Sequence, residues 1–148
     1  NNRIAFIDGP AYQWSQKSQT GYIKALTEAG IEYDEDLIFR TNAETAASGM
    51  ALTDSVLKQK PDSLFIRNEF MARGIFDGMI ARGIKIPEDL KMVYIGNPND
   101  NISHLGLTRI VLNPKKLSQN ALELLLKRLA APHTNIEKRL LKFKLSDY

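Results

Sequence analysis

Polar side chains gather after four short apolar runs of this sequence, where a binding site would form in an α/β protein. They are Asp8, Gln13, Asn42, Glu44, Asn68, Glu69, Asn97, Asn99 and Asp100, and the aromatics Tyr12 and Trp14 stand among them. A sugar has an apolar C–H face and hydroxyls that need fixed polar partners, so this mixture suits it. The alternatives stay open, because asparagine and aspartate are common in ordinary loops and the aromatics could serve only in packing.

The residue types needed for covalent catalysis and for metal binding are sparse. There is no cysteine, which excludes disulfides, thiolate chemistry and cysteine metal sites. The two histidines, His104 and His133, each stand alone, so we predict no metal site and no cofactor. No nucleophile elbow, P-loop or dinucleotide fingerprint is present. We therefore expect a binding protein and not an enzyme.

Length and composition are those of one ordinary globular domain. The 148 residues are 43% hydrophobic and 25% charged, and the net charge of +3 is too small to favour a nucleic-acid surface. The basic residues near the end of the chain alternate with leucines, which favours solvated faces of a helix and a strand. No run of about 18 apolar residues predicts a membrane span.

Strand and helix patterns alternate along the chain. Strands are predicted at 3–8, 37–40, 63–67, 91–95 and 107–112, and helices at 15–29, 45–58 and 69–82, with Gly30 as the cap of the first helix. This alternation predicts a parallel sheet with helices on both faces. Ligands bind such sheets beyond the carboxyl ends of the strands, which is where the polar residues lie.

The last third of the chain has a different pattern. A helix is predicted from Pro114 to residue 131, and its apolar residues cover more than a third of its surface. Such a helix needs partners on more than one side. Residues 137–145 alternate, with Leu141, Phe143 and Leu145 on one side, which predicts a strand with one wet face.

Taken in order, these segments resemble the LacI/GalR family of transcriptional regulators. The similar pieces are Ile-Ala-Phe-Ile-Asp-Gly at 4–9, Gly-Tyr at 21–22, Pro-Asp at 61–62, Asn-Glu-x-Met-Ala-x-Gly at 68–74 and Ile-Pro-Glu-Asp-Leu at 86–90. Each piece is short, but their order and spacing extend over essentially the whole chain. The piece at 86–90 points to regulators more than to the related periplasmic sugar-binding proteins.

The resemblance implies a periplasmic-binding-protein type I lobe, an α/β fold in which helices flank a Rossmann-like parallel sheet. Residues 1–148 would be the C-terminal lobe of an effector-binding domain. Residues 113–132 would formally belong to the N-terminal lobe, the rest of which is missing from this chain together with the DNA-binding head. That assignment would explain the broad apolar surface of the helix after Pro114.

The function implied by the resemblance is that of a sensor module. It would bind a small-molecule effector, most simply a sugar, in a cytoplasmic homodimeric regulator that contacts operator DNA through a domain absent from this chain. No membrane partner is implied. The alternative is a periplasmic sugar-binding receptor of a transporter. A helix-turn-helix or a signal peptide in the encoding gene would decide between the two.

The resemblance transfers the effector site only in part. The family's arginine before Gly21-Tyr22 is Ser18 here, and its frequent aromatic before the second helix is Glu44. Its Gly-Phe-Asp-Asp segment reads Gly-Asn-Pro-Asn at 96–99. We predict ligand contacts from Asp8, Tyr12, Trp14, Ser18, Glu44, Asn68, Asn97 and Asn99. The lost arginine argues against an acidic ligand anchored there, although Arg67 and Arg40 remain as candidate cations.

The resemblance also implies a two-fold interface. In the family the C-terminal lobes pair through the third helix and the loop after the fourth strand. The corresponding residues here are Arg73, Phe76, Asp77, Ile80 and Ile102. We predict a homodimer that uses this surface, with Phe76 as its aromatic anchor.

Overall fold

The computed structural model describes residues 2–11, 13–111, 113–133 and 135–146, without the side chains of residues 13–15 and 103. The strands are β1 (Ile4–Asp8), β2 (Ile38–Arg40), β3 (Ser63–Ile66), β4 (Lys91–Gly96), β5 (Thr108–Val111) and β6 (Lys144–Ser146). The helices are α1 (Gln13–Glu28), α2 (Ala46–Ala51), α3 (Thr53–Lys58), α4 (Glu69–Ile80) and α5 (Pro114–Ala130). One sheet has the order β2-β1-β3-β4-β5-β6, parallel except for β6. The predicted α/β architecture is confirmed.

The two faces of the sheet are covered by different helices. Alternate residues of β1 point to opposite faces, so Phe6 contacts α1 while Ile7 lies in the core under α4. The ring of Phe6 stacks on Tyr22 with centroids 5.2 Å apart and also contacts Phe65. Both faces of β1 are therefore buried, as its continuous apolar run indicated, whereas the α1 face of β3 and β4 is only partly buried.

Local signals set where the helices begin and end. Asn68 Oδ1 accepts a hydrogen bond from Met71 N at 2.9 Å and so caps α4. At the other end of α1, Gly30 has a φ of +67°, and Ile31 N donates to Leu26 O at 2.9 Å. This left-handed ending is the one that glycine favours, and the predicted cap at Gly30 is confirmed.

The helix predicted over 45–58 is in fact two short helices. The break lies at Leu52, whose N–H donates to Gly49 O in a tighter turn. Beside it the buried Thr53 hydroxyl donates to Met50 O at 2.7 Å. A threonine that bonds back to a preceding carbonyl bends a helix, and here that bond lies at the junction where α2 ends and α3 begins.

The C-terminal strand is shorter than predicted, whereas the helix before it is confirmed. Only Lys144–Ser146 forms a strand, antiparallel to β5, so the prediction for 137–145 was wrong in extent. The side chains of Phe143 and Leu145 are mostly exposed, because no layer of the described chain covers them. Helix α5 buries none of its residues, and Leu117 and Leu129 are among its exposed leucines. Within the described residues, no helix combines the length and hydropathy needed to cross a bilayer.

Tyr22 links α1 to the first strand through a hydrogen bond, and the burial of its hydroxyl affects its titration. Its hydroxyl donates to Ile4 O at 2.6 Å. Burial, followed by the nearby Tyr33 and Asp34, raises the pKa of Tyr22 from 10.0 to about 12. The neutral hydroxyl is therefore the form that the fold favours.

Stability should consequently fall at alkaline pH. Since the folded-state pKa of Tyr22 lies above its unfolded value, its contribution is complete below about pH 10 and lost as the pH rises through about 12. We expect the free energy of unfolding, from urea titrations, to decrease over that range. Tyr22→Phe should show a shallower decrease, with some slope left because the pKa of Tyr94 is also raised. An equally steep curve for the variant would contradict this assignment.

Candidate functional site

A cavity of about 400 Å³ lies at the carboxyl edge of the sheet, between the ends of β3 and β4 and the start of α4. It is lined by Ser18, Glu44, Arg67, Asn68, Glu69, Phe70, Ile95, Gly96, Asn97 and Phe143. Four of the predicted ligand residues, Ser18, Glu44, Asn68 and Asn97, are thus brought together. They come from four separate chain segments, which only the parallel sheet makes adjacent.

A buried ionic network forms one side of this cavity. The Arg67 guanidinium pairs with Asp8 and with Glu44. The side chains of Arg67 and Asp8 are almost fully buried, whereas Glu44 is partly exposed to the cavity. Asp8 also accepts a hydrogen bond from Gly9 N at 2.8 Å. We predicted that Asp8 binds a ligand, but the structure gives its carboxylate an internal partner and keeps it out of the cavity lining.

Gly9 makes room for this network. A Cβ atom at Gly9 would lie 2.6 Å from Glu44 Cγ and 2.8 Å from Arg67 Nη2. Both distances are below normal carbon contacts, so a side chain there would displace the ion pairs. The glycine after β1 therefore allows the arginine to reach across from β3.

Asn68 presents an unpaired donor at the cavity wall. Its Oδ1 is occupied by the cap of α4, so its orientation is determined by that bond. Its Nδ2 is buried and has no hydrogen-bond partner within the described part of the chain. A buried donor left unpaired costs about 1–3 kcal/mol, so an acceptor on a ligand would find a favourable partner here.

Glu69 and Asn97 join the start of α4 to the end of β4. Glu69 accepts hydrogen bonds from Asn97 N at 3.0 Å and from Asn97 Nδ2 at 3.2 Å. Arg109 donates to the carbonyls of Asn97 and Pro98 from the neighbouring strand. These bonds hold Asn97 at the cavity, while Asn99, also a predicted ligand residue, is exposed and absent from the lining.

A buried cluster of Tyr94, Asp100 and Arg109 supports the loop that follows β4 and carries Asn97. Asp100 accepts hydrogen bonds from the Tyr94 hydroxyl at 2.9 Å and from Arg109 at 3.3 Å. Burial first, and then the hydrogen bond to Asp100, raises the pKa of the Tyr94 hydroxyl. Gly96 is required between them, because a Cβ there would contact both the Asp100 carboxylate and the Tyr94 ring.

Two aromatic rings at the cavity were not predicted. Phe70 and Phe143 are about 60% exposed, although both line it. The alternation around Phe143 indicated a strand but not its position in space. Of the aromatics that were predicted, Tyr12 lies outside the described residues, and so does the side chain of Trp14.

The predicted interface residues on α4 form one stripe. Arg73, Phe76, Asp77 and Ile80 recur at helical spacing, and Arg73 pairs with Asp77 at 2.8 Å. Ile80 is 48% exposed, whereas Phe76 partly packs on the core. Ile102 is only 1% exposed and lies in the core, so the structure removes its side chain from this surface.

The side chains at this edge are of kinds that suit the binding of a polar ligand. Carboxylates, amides and aromatic rings can hold hydroxyl groups and sugar faces. Among the described residues, no group of three or more histidine and acidic side chains is arranged to hold a metal ion.

Comparison with known proteins identifies the fold. A family model described as periplasmic binding protein-like domain matches residues 1–147. The chain belongs to this family. Periplasmic binding protein-like domains are α/β, in agreement with the sheet and helices described above. The lobe architecture expected from the sequence is thereby confirmed.

Curated relatives of this periplasmic binding protein-like domain are transcriptional repressors. The chain is 32% identical over 114 residues to the HTH-type transcriptional repressor PurR of Vibrio atlanticus (strain LGP32). This alignment covers 74% of this chain and 34% of that protein. It is 30% identical over 135 residues to PurR of Mannheimia succiniciproducens, or 88% of this chain and 40% of that protein. The aligned part of the chain thus spans between 34% and 40% of the length of these two relatives.

Solved regulators share the fold along nearly the whole chain. The transcription regulator CcpA of Lactococcus lactis superposes with a TM-score of 0.83 at 28% identity, over 99% of this chain and 55% of that one. The transcriptional regulator CelR, solved as a cellobiose complex, gives 0.83 at 26% identity, over 98% and 45%. The resemblance of the sequence to LacI/GalR regulators is confirmed by these relatives.

Proposed function

We propose that this chain is the effector-sensing module of a LacI/GalR-type regulator and that its effector is a sugar. The unpaired Asn68 amide in the cavity is the observation that carries this proposal. The relatives are repressors, which favours a regulator over a periplasmic receptor of a transporter. CelR, a related regulator, is described as a cellobiose complex, which is in line with a sugar ligand.

The ligand would be bound by side chains of complementary kinds. Asn68 donates to a sugar oxygen, while Glu44 and Asn97 bind hydroxyl groups from two sides of the cavity. Phe70 or Phe143 stacks on the C–H face, a role that the sequence assigned to Trp14. Ser18 adds a small polar contact. The role is binding without catalysis.

The signal would pass through closure of two lobes. The exposed leucines of α5 suit a helix that packs into a second lobe, as the family resemblance implies for residues 113–132. A ligand held between the lobes shifts the population towards the closed form. In the whole regulator this change would alter contacts with operator DNA in the cytoplasm, through a domain outside this chain.

The test is an amide-to-acid substitution in the full-length regulator. Asn68→Asp retains the oxygen that caps α4 but removes the Nδ2 donor. We expect its affinity for the responding sugar, from thermal-shift titrations of a sugar panel, to fall about tenfold or more. The matched control is Asn99→Asp, which adds the same charge outside the cavity and should bind normally. Equal affinity of the two variants would contradict the assignment of Asn68.

We further propose that the regulator is a homodimer that uses the α4 stripe. Ile80→Glu puts a charge at the most exposed apolar position of this surface and should dissociate the dimer. Tyr33→Glu is the control, because Tyr33 is also partly exposed but lies beyond α1, away from the stripe. Sedimentation velocity of the full-length protein measures both. A dimer in Ile80→Glu, or a monomer in the unsubstituted protein, would remove this interface.

A further inference from the structure

Among the described residues, Arg67 is the cationic side chain that lines the cavity, and its charge is already neutralised by ion pairs within the protein. Its guanidinium pairs with Asp8 behind the cavity and with Glu44 at the wall. The exposed fraction of its side chain is 2%, so it has little surface left for an incoming anion. The sequence left Arg67 open as a candidate cation for an acidic ligand, and the geometry argues against that role.

The remaining charges at the cavity are negative. Glu44 and Glu69 both line it, and Asp8 lies behind Arg67. Counting these three carboxylates against Arg67 leaves an excess of negative charge. Two further arginines lie near this edge. Arg40 stands opposite Asp8 in the strand register, but its guanidinium donates to Gln19 and it is absent from the lining. Arg109 is paired with Asp100.

The hydrogen-bonding groups that line the cavity also disfavour an acidic ligand. Both carboxylates at the cavity are acceptors, and the unpaired donor is the neutral Asn68 amide. A ligand with hydroxyl or ammonium donors can satisfy Glu44 and Glu69. A ligand carboxylate or phosphate would lose its hydration and meet like charges instead.

We infer that Arg67 is a specificity-determining residue, whose commitment to Asp8 and Glu44 makes the cavity select neutral or amino-bearing sugars over acidic ones. Arg67 acts as a positioning residue, since it holds Glu44 at the wall and, within the described lining, no other cation is left for an acid. This inference rests on the proposed sugar-sensing function and names the charge class of its ligand.

The experiment compares matched sugars on the full-length regulator. The probes are the hexose, the 2-amino-2-deoxyhexose, the hexuronate and the hexose 6-phosphate of the gluco, galacto and manno series, titrated by calorimetry at one ionic strength. Within the series that binds, we expect the amino sugar to bind at least as tightly as the hexose. The hexuronate and the phosphate should bind at least about tenfold more weakly than the hexose.

A charge-removing variant links this preference to the cavity. Glu69→Gln removes one carboxylate, does not touch the Arg67 network and retains an oxygen for Asn97 N. It should reduce the ratio between amino-sugar and hexuronate affinities about fivefold to tenfold. Glu88→Gln removes an exposed carboxylate that is absent from the lining and should leave the ratio unchanged.

The outcomes separate the two proposals. Hexuronate or phosphate binding as tight as that of the parent hexose overturns the charge inference while the sugar-sensing function stands. An unchanged affinity ratio in Glu69→Gln also overturns it. Failure of every sugar to bind overturns the sugar assignment and, with it, this inference.

Discussion

Replacing Arg67 by methionine is expected to lower the free energy of unfolding by about 3–5 kcal/mol. The substitution retains an unbranched side chain but leaves the Asp8 carboxylate, which has no exposed surface, without its guanidinium partner. A buried charge that loses its partner is costly because neither water nor a counter-charge replaces the lost interaction. Urea denaturation of the purified chain measures the change.

Two further variants isolate the buried charge as the cause. Arg73→Met breaks the half-exposed Arg73–Asp77 pair on α4 and should change stability by only about 0.5 kcal/mol. The double variant Asp8→Asn with Arg67→Met removes both charges and should be less destabilised than Arg67→Met alone. If Arg67→Met costs no more than Arg73→Met, the network does not have the buried ionic character described here.

Gly74→Ala should destabilise the chain by about 3 kcal/mol. A Cβ at Gly74 would overlap the backbone carbonyl of Ala46, because α2 crosses α4 in direct backbone contact there. Gly49 faces α4 at the same crossing, and a Cβ there would likewise overlap the backbone carbonyl of Met71, though less severely. A carbonyl cannot rotate away as a side chain can, so the two helices must separate and the packing between them is lost.

A second glycine in a helix supplies the control. Gly21 lies within α1, and a Cβ there meets no atom within 4 Å. Alanine is a better helix former than glycine by about 1 kcal/mol, so Gly21→Ala should stabilise the chain by up to that amount. Thermal melts of both variants give the comparison. If Gly74→Ala also gains stability, the close approach of α2 and α4 is incorrect.

Local sequence patterns were sufficient to predict most of the strands and helices. The apolar run at β1 and the left-handed glycine after α1 each have a local physical cause, so their predictions held. The predicted helix over 45–58 failed because Thr53 bonds its own backbone and packs near Gly78, a residue in α4. Periodicity does not report a contact that is distant in sequence.

The candidate site was likewise predicted only in part, because some of its contacts join residues that are distant in the sequence. The ends of the predicted strands indicated which residues share an edge, and Ser18, Glu44, Asn68 and Asn97 do line the same cavity. The internal pairing of Asp8 was not predicted, because its partner, Arg67, is 59 positions away in the sequence. Phe143 was overlooked as a lining residue because it reaches the cavity from the far end of the chain.

By itself the sequence determined the parallel α/β framework, its helix caps and the edge at which polar residues collect, since each follows from side-chain period or local hydrogen bonding. Tertiary structure decided which charges pair with each other and which line the cavity. Arg67 could have served a ligand or the protein, and its burial against Asp8 and Glu44 assigns it to the protein. The reason is physical: the free energy of a charge depends on its surroundings, which only the folded chain assembles.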